Sequence, residues 1–432
     1  MNWCNNSEIM KIFATGDWHL GNLFHGNDRL NEHKHFLDWL IGQIKEHRPS
    51  ALLVAGDVFD NGNPSAAAQQ VYYKFISQVM TMPHGPVIVV TAGNHDAASR
   101  LEAPREVLAY NNVEIRGNVN RKWVNNDDGG EWVLDYDDLI IPVKDESGEE
   151  VIVLAVPYLR ADVIQKYEYS AGVTAFLKQL TARAREVHGE KPLVMMAHMY
   201  ASGADIAKRD ASERVIIGGQ EQVDFDDWSD HPDYFTSGHI HKRQHIWNTN
   251  WARYTGSVLP MSFSEVDYKH GVDMIDIQAD RNFKVEFLEY TPQHKLKILP
   301  ADDSKLTFKQ LEKLINKELR DRGADGELSD TYDYVLLKIN MQSVDTEALR
   351  QLENLVNGKD AVHCKSQKII EGIDLTTIAD HETLTSIEDI LNRDPMDTLK
   401  EAFMVKHKCD MNERQESMLR ELLVQINNDF VD

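Results

Sequence analysis

Five short segments carry side chains that bind hard metal ions or move protons. They are Asp17-Trp18-His19, Gly56-Asp57-Val58-Phe59-Asp60, Gly93-Asn94-His95-Asp96, Ala197-His198 and Gly238-His239-Ile240-His241. Their donors are carboxylate, amide oxygen and imidazole, which suit divalent cations such as manganese, and no thiolate stands among them. Asp17 and His19, like His239 and His241, are one residue apart and so direct alternate side chains into one pocket. A carboxylate shared by two cations about 3.5–4 Å apart is an arrangement that activates water for in-line attack on phosphorus. Each segment alone has a plainer reading: a surface loop pair for Asp-x-His, a turn for Gly-Asn-His-Asp, a structural pair for Gly-His-x-His. Five of them in this order point to a two-metal centre.

These segments must be positioned by a layered α/β domain. Each follows an apolar run of strand length: Ile12-Phe13-Ala14, Ala51 to Ala55, Val87 to Val90, Leu193 to Ala197, and a shorter run at Tyr234–Thr236. Continuous apolar runs are what strands buried on both faces require, and open α/β sheets gather ligands outside the carboxyl ends of their strands. Glycines before Asp57, Asn94 and His239 let the chain turn sharply there. A helix is expected from about Leu30 to His47, with Phe36, Leu37, Leu40, Ile41 and Ile44 on one face. Another should open with Asn63 as its cap and Pro64 in its first position. Val151 to Val156 adds a strand, and Val272 to Ile277 alternates as a half-exposed antiparallel strand does. Trp18 is expected to pack beneath the site. His25, His33 and His35 lack the strand-end context and read as exposed helix and loop residues.

Three domains follow from the pattern: 1–290, a small α+β module at 295–370 after the break at Thr291-Pro292, and a linker with terminal helices at 371–432. The formal charge of −24, from 46 basic and 70 acidic residues, argues against binding nucleic acid by bulk positive charge. It leaves open a nucleic-acid enzyme whose site carries its own cations, because divalent metals invert the local field. The short basic clusters Arg116…Arg121-Lys122, Lys208-Arg209 and Lys242-Arg243 read as solvated surface. Three widely spaced cysteines, Cys4, Cys364 and Cys409, suit a reduced cytoplasmic protein. No apolar run is long enough to span a membrane. Residues 1–9 read as a short extension, with Met10 a plausible start.

Asp17-x-His19, Gly56-Asp57, Gly93-Asn94-His95-Asp96, His198 and Gly238-His239-x-His241 together resemble the signature of the calcineurin-like metallophosphoesterases. The wider runs Thr15–Gly21, Ala55–Asp60, Ala92–Asp96 and Ser237–His241, with Tyr254-Thr255-Gly256-Ser257 and Ser262-Phe263-Ser264-Glu265, are similar to the SbcD family of bacterial nuclease subunits. The resemblance implies a four-layer sandwich of two mixed β-sheets flanked by helices, with a small α+β capping domain and C-terminal helices. It implies two divalent cations, Mn²⁺ in first place and Mg²⁺ as the alternative. One would be held by Asp17, His19, Asp57 and His241, the other by Asp57, Asn94, His198 and His239, with Asp57 bridging. His95 would stand beside the scissile phosphate, and Asp60 is a candidate to orient it, the plainer role for Asp60 being a turn cap. Ala197 departs from the glycine the family often has before this histidine, which hardly touches the ligand assignment.

The same resemblance implies a DNA nuclease component acting in repair and recombination, near the nucleoid. It would be a double-strand exonuclease and a hairpin or single-strand endonuclease. Its partners would be double-stranded and hairpin DNA, a second copy of the chain in a heterotetramer, and an SbcC-type coiled-coil ATPase. No Gly-x-x-x-x-Gly-Lys loop is present, so ATP hydrolysis belongs to another polypeptide. Leu399 and Phe403 on one terminal helix, and Met418, Leu422, Ile426 and Phe430 on the next, form apolar stripes expected to dock on that partner. A phosphatase or cyclic-nucleotide phosphodiesterase with the same metal core is the alternative.

Overall fold

Ile12, Ala14, Ala51, Leu53, Ala55 and Val89 pack toward one side of their strands. Phe13, Leu52, Val54, Ile88 and Val90 pack toward the other. Strands apolar on both faces must lie in the middle of a layered structure, and they do. The protein is described by a computed structural model over residues 9–370, excepting 126–128, 162, 165–167, 203, 205–221, 225–227, 247–248, 303 and 342–345. The terminal stripes at Leu399, Phe403, Met418, Leu422, Ile426 and Phe430, the pair Lys208-Arg209, Cys4 and Cys409 lie outside the described residues.

The chain begins β1 (Ile9–Thr15), α1 (Leu30–His47), β2 (Ala51–Ala55), α2 (Ala66–Met80), β3 (Val87–Thr91) and β4 (Val113–Arg116). A second series runs β5 (Ile140–Lys144), β6 (Glu150–Ala155), α3 (Tyr169–His188), β7 (Leu193–His198), β8 (Tyr234–Gly238), β9 (Gln244–His245) and β10 (Ala252–Tyr254). The hairpin β11 (His270–Gln278) and β12 (Phe283–Tyr290) returns to the first sheet, whose order is β12-β11-β1-β2-β3-β4. The second sheet is β9-β10-β8-β7-β6-β5. Both are mixed: β1 to β4 are mutually parallel, as are β6, β7, β8 and β10, while the remaining pairings are antiparallel.

The two sheets meet face to face through Ile12, Leu53 and Val89 on one side and Val153, Val194 and Met196 on the other. Helices α1 and α2 cover the first sheet with Phe36, Leu40, Tyr72 and Phe75. Helix α3 covers the second with Phe176, Leu177 and Leu180. This is the expected four-layer sandwich. Each large apolar side chain buried in it contributes about 1.5–3 kcal/mol relative to exposure.

Residues after β12 form β13 (Leu296–Leu299), α4 (Phe308–Glu318), β14 (Asp333–Met341), α5 (Thr346–Asn357) and β15 (Ala361–Ile370). Their three strands pair in parallel, and Leu311, Ile315, Val335, Leu337 and Leu352 give them a core of their own. A shared cluster of Phe24, Phe263, Leu296, Tyr334 and Leu336 fixes this module to the sandwich, and residues up to Ile370 form one compact unit.

Four local expectations are corrected. Helix α2 is capped by Ser65, whose hydroxyl accepts from the Ala68 amide at 3.2 Å, so it starts two residues beyond Pro64. Strand β11 lies between β1 and β12 and is almost wholly buried; its Asp273 pairs with Arg243 at 2.7 Å, so neither that strand nor Arg243 is solvent surface. Arg116 is buried beside Glu114 and Asp138. His33 is fully buried on α1, one turn before Phe36 and Leu37 on the same stripe.

Burial, reinforced by Arg29, pushes the His33 imidazole down to about 4 from its ordinary 6.5. The native ring therefore resists protonation until about pH 4, while the unfolded ring accepts its proton near 6.5. Below 6.5 the unfolded chain binds the extra proton, so stability falls with pH across this window and is fully present above it. We expect a loss of about 3 kcal/mol between the two values. Urea melts of wild type and His33→Leu across pH 4–7 check this. The substitution should remove that part of the slope; parallel curves would contradict it.

Candidate metal centre

The five strand-end loops converge at the carboxyl ends of β1, β2, β3, β7 and β8. The first two loops are laced by backbone bonds: Asp17 N donates to Gly56 O at 3.1 Å, His19 N to Asp57 O at 2.9 Å and Leu20 N to Val58 O at 2.9 Å. Three donor residues there have positive φ, Asp17 at 50°, His19 at 45° and Asp57 at 49°, and His239 adds a fourth at 94°. Such conformations cost of order 1–3 kcal/mol each in a residue with a side chain and persist where the surroundings enforce them. Of the glycines expected to turn the chain, Gly56 does so with φ of 77°. Gly93 serves another purpose, because a Cβ there would lie 2.1 Å from Asp57 Oδ1 and so could not coexist with the carboxylate.

Asp17, His19, Asp57, His198 and His241 are buried, whereas Asn94, His95 and His239 are partly exposed and form the mouth. Ligand atoms of Asp17, His19 and His241 lie within 4.8 Å of one another, as do those of Asp17, Asp57 and His198, and of His19, Asp57 and His95. The two carboxylates are anchored by amides: His239 N donates to Asp17 Oδ1 at 2.9 Å, and His95 N to Asp57 Oδ1 at 2.9 Å. Trp18 lies under the site, donating to Thr15 Oγ1 at 3.0 Å with its ring edge-on to Phe36 and Phe75.

The donor set fits a cation on two counts. Among the described residues, neither buried ring nitrogen of His19 has a hydrogen-bond partner, although Asp57 Oδ2 is 3.7 Å from Nε2. The second count is at His198. Its Nδ1 stands 3.0 Å from the Ala55 carbonyl and must donate to it, so Nε2 carries a lone pair in the neutral ring. That Nε2 faces Asn94 Oδ1 at 2.9 Å and Asp57 Oδ2 at 3.4 Å, and Asn94 Oδ1 is also 3.0 Å from His239 Nδ1. Lone pairs converging this way need a positive charge between them, either a proton or a metal ion.

The electrostatics express the same demand. Burial alone would lower His198, but the charges of Asp57 and Asp17 overcome it and raise the imidazole to about 9. Burial likewise works to raise Asp57, yet His198, then His19 and His95, outweigh it and keep this carboxyl ionised. Burial drives His19 well below its ordinary range, so its ring is neutral. A metal ion taking His198 Nε2 must displace a proton at neutral pH. We expect Mn²⁺ binding at pH 7.5 to release about one proton from this group and to tighten as pH rises toward 9. Calorimetry in buffers of different ionisation enthalpy reads the released proton; enthalpies independent of buffer would contradict it.

Asp60 differs from expectation. Its backbone carbonyl, not its carboxylate, meets His95: Nδ1 is 2.7 Å from Asp60 O and donates to it. The carboxylate instead accepts from Asn22 Nδ2 at 2.9 Å and stands 3.7 Å from His19 Nδ1. The chain direction after β2 turns the Asp60 carbonyl toward the third loop, which leaves its side chain facing the first.

Two further carboxylates act here that the ligand pattern does not single out. Asp96 accepts from the amides of Val58 at 3.1 Å, Phe59 at 3.0 Å and Gly93 at 2.9 Å, stapling the second loop to the third. Burial and the nearby Asp57 push it up to about 6 against those three donors. Glu265 is fully buried and stands 3.0 Å from His241 Nδ1. The first is adjacent to a motif histidine; the second falls within the Ser262–Glu265 run.

Residues 10–243 match the family model described as calcineurin-like phosphoesterase. The chain is 35% identical over 279 residues to the SbcD component of the nuclease SbcCD of Rhodobacter capsulatus, covering 62% of this chain and 66% of that protein, just under two thirds of it. It is 30% identical over 309 residues to the Escherichia coli K12 protein of the same name, covering 69% of this chain and 72% of that one. The Bacillus subtilis counterpart is 29% identical over 270 residues, 62% of this chain and 66% of its own. Among the described residues no helix is long and apolar enough to cross a membrane.

Proposed function

The chain belongs to the calcineurin-like phosphoesterases and, within them, to the SbcD nucleases, and on that footing we propose that it hydrolyses DNA phosphodiester bonds with two divalent cations, in complex with a coiled-coil ATPase. Manganese is the cation we assign first, with magnesium as the alternative. The observation that carries the reading is the convergence of Asn94 Oδ1, His198 Nε2 and Asp57 on a point that needs positive charge.

In this reading Asp17, His19, Asp57 and His241 hold one cation, and Asp57, Asn94, His198 and His239 hold the other. The cations supply the Lewis acidity that polarises a phosphoryl oxygen and activates water. The protein's own groups do the rest. The half-exposed Asn94, His95 and His239 mark the side from which a phosphodiester enters. His95 is held by its Nδ1–H, so Nε2 is the nitrogen left for the substrate; with a second proton on the ring, Nε2 donates to a phosphoryl oxygen or passes that proton to the leaving oxygen. Trp18 and its aromatic neighbours keep the floor rigid, so the donors need little rearrangement on binding.

The module at 295–370 would cap the site and help position DNA. The stripes at Leu399, Phe403, Met418, Leu422 and Ile426 would dock on the ATPase. The test is cleavage of duplex, hairpin and small phosphoester substrates in Mn²⁺, with and without the ATPase. DNA cleavage should dominate and gain from the partner, and removing residues 395–432 should cancel that gain. Efficient turnover of small phosphoesters with no DNA cleavage would overturn the reading in favour of a phosphatase.

A further inference from the structure

We propose that Glu265 is a positioning residue for His241, and that a buried polar chain through Arg29 makes the first metal position sensitive to how the 295–370 module is seated. The proposal rests on the two-cation reading above. The geometry begins at His241, whose Nδ1 is 3.0 Å from Glu265 Oε1. A carboxylate accepts here, so the ring donates from Nδ1 and presents Nε2, with its lone pair, to the pocket shared with Asp17 and His19.

The other oxygen of Glu265 accepts from the Met261 amide at 2.7 Å, which ties the carboxylate to the backbone at Pro260–Met261. Pro260 offers its carbonyl to Arg29 Nη1. Arg29 is 1% exposed and forms a two-point pair with Glu32, 2.9 Å at each contact. Glu32 then accepts from the hydroxyl of Tyr334, on β14 of the module, at 3.1 Å. Phe263, in the same turn as Glu265, packs with Phe24, Leu296 and Tyr334, so an apolar contact runs beside the polar one.

The side chains that make the chain are buried: His241, Glu265, Arg29, Glu32 and Tyr334 are each no more than 3% exposed. Buried charge pairs of this kind hold a single arrangement, because a misplaced member leaves a charge unpaired in a low dielectric. A shift of Tyr334 therefore reaches Glu32 and Arg29, then the Pro260 turn, then the carboxylate that aims His241. His198, by contrast, is oriented by the Ala55 carbonyl, which belongs to β2 and has no part in this chain.

The expected signature is asymmetric. Glu265→Gln should weaken one of two Mn²⁺ sites about 10–100-fold, the range for loss of a carboxylate behind a metal-bound imidazole. Tyr334→Phe, which deletes one hydroxyl far from the pocket and keeps the ring, should weaken the same site by a smaller factor. Binding isotherms of Mn²⁺ to the full chain, followed by the paramagnetic resonance of free ion, resolve the two sites without any cleavage assay. Metal-free thermal melts of each variant check folding.

If wild type binds two ions, Glu265→Gln weakens one of them and Tyr334→Phe weakens that same one, the relay stands. If Glu265→Gln weakens one and Tyr334→Phe changes neither, the positioning role holds and the link to the module is overturned. Equal weakening of both sites by Glu265→Gln, or no weakening, overturns the positioning role. A wild type that binds no Mn²⁺ would count against the two-cation reading itself.

Discussion

His95→Gln is expected to bind two manganese ions as wild type does and to cleave DNA at least about 100-fold more slowly, the usual scale for loss of a positioned acid or base. The structure gives His95 two possible employments, since its ring lies 4.9 Å from His19, edge to face, and within ligand distance of His19 and Asp57. The 2.7 Å bond from Nδ1 to the Asp60 carbonyl fixes the ring and leaves Nε2 at the mouth under either employment, as the Ala55 carbonyl does for His198. The family resemblance assigns His95 to the substrate. A calorimetric Mn²⁺ titration beside a hairpin-cleavage assay decides it. Loss of one ion in the variant would make His95 a ligand, and undiminished cleavage would remove it from the mechanism.

Asp57→Asn carries the second large effect. Its carboxylate lies 3.7 Å from His19 and 3.4 Å from His198, and it is the one side chain assigned to both cations. The amide keeps the shape and can still accept from His95 N, the bond that Asp57 Oδ1 now makes at 2.9 Å. It lacks the charge that holds His198 at about 9, so that imidazole should fall. We expect Mn²⁺ affinity to drop more than about 100-fold, beyond what loss of a supporting partner causes, with cleavage falling below detection. Histidine NMR of the metal-free variant should show His198 titrating at lower pH. Wild-type affinity in Asp57→Asn would contradict the bridging assignment.

The arrangement of the site was readable because its donors sit immediately after apolar runs, and strands buried on both faces announce themselves by continuous Val, Leu and Ile. Asp17, Asp57, Asn94, His198, His239 and His241 can be grouped that way from the chain alone. Backbone groups leave no such trace. Nothing in the residue type of Asp60 tells that its carbonyl, not its carboxylate, would face His95. Glu265 lies in the Ser262–Glu265 run, but a lone glutamate 24 residues from the histidine it contacts has no spacing to betray it. His33 was missed for a different reason: on α1 it stands three and four residues before Phe36 and Leu37, and helical period alone places it in the core. The cap at Ser65 was lost to the stronger local signal of Asn63-Pro64, since either side chain can terminate a helix.

The most direct test of the two-metal centre is anomalous diffraction at the manganese edge from crystals soaked in Mn²⁺. Two peaks are expected, about 3.5–4 Å apart as in other two-metal sites. One should touch Asp17, His19 and His241, the other Asn94, His198 and His239, with Asp57 between them. A single peak, or peaks away from these residues, would contradict it.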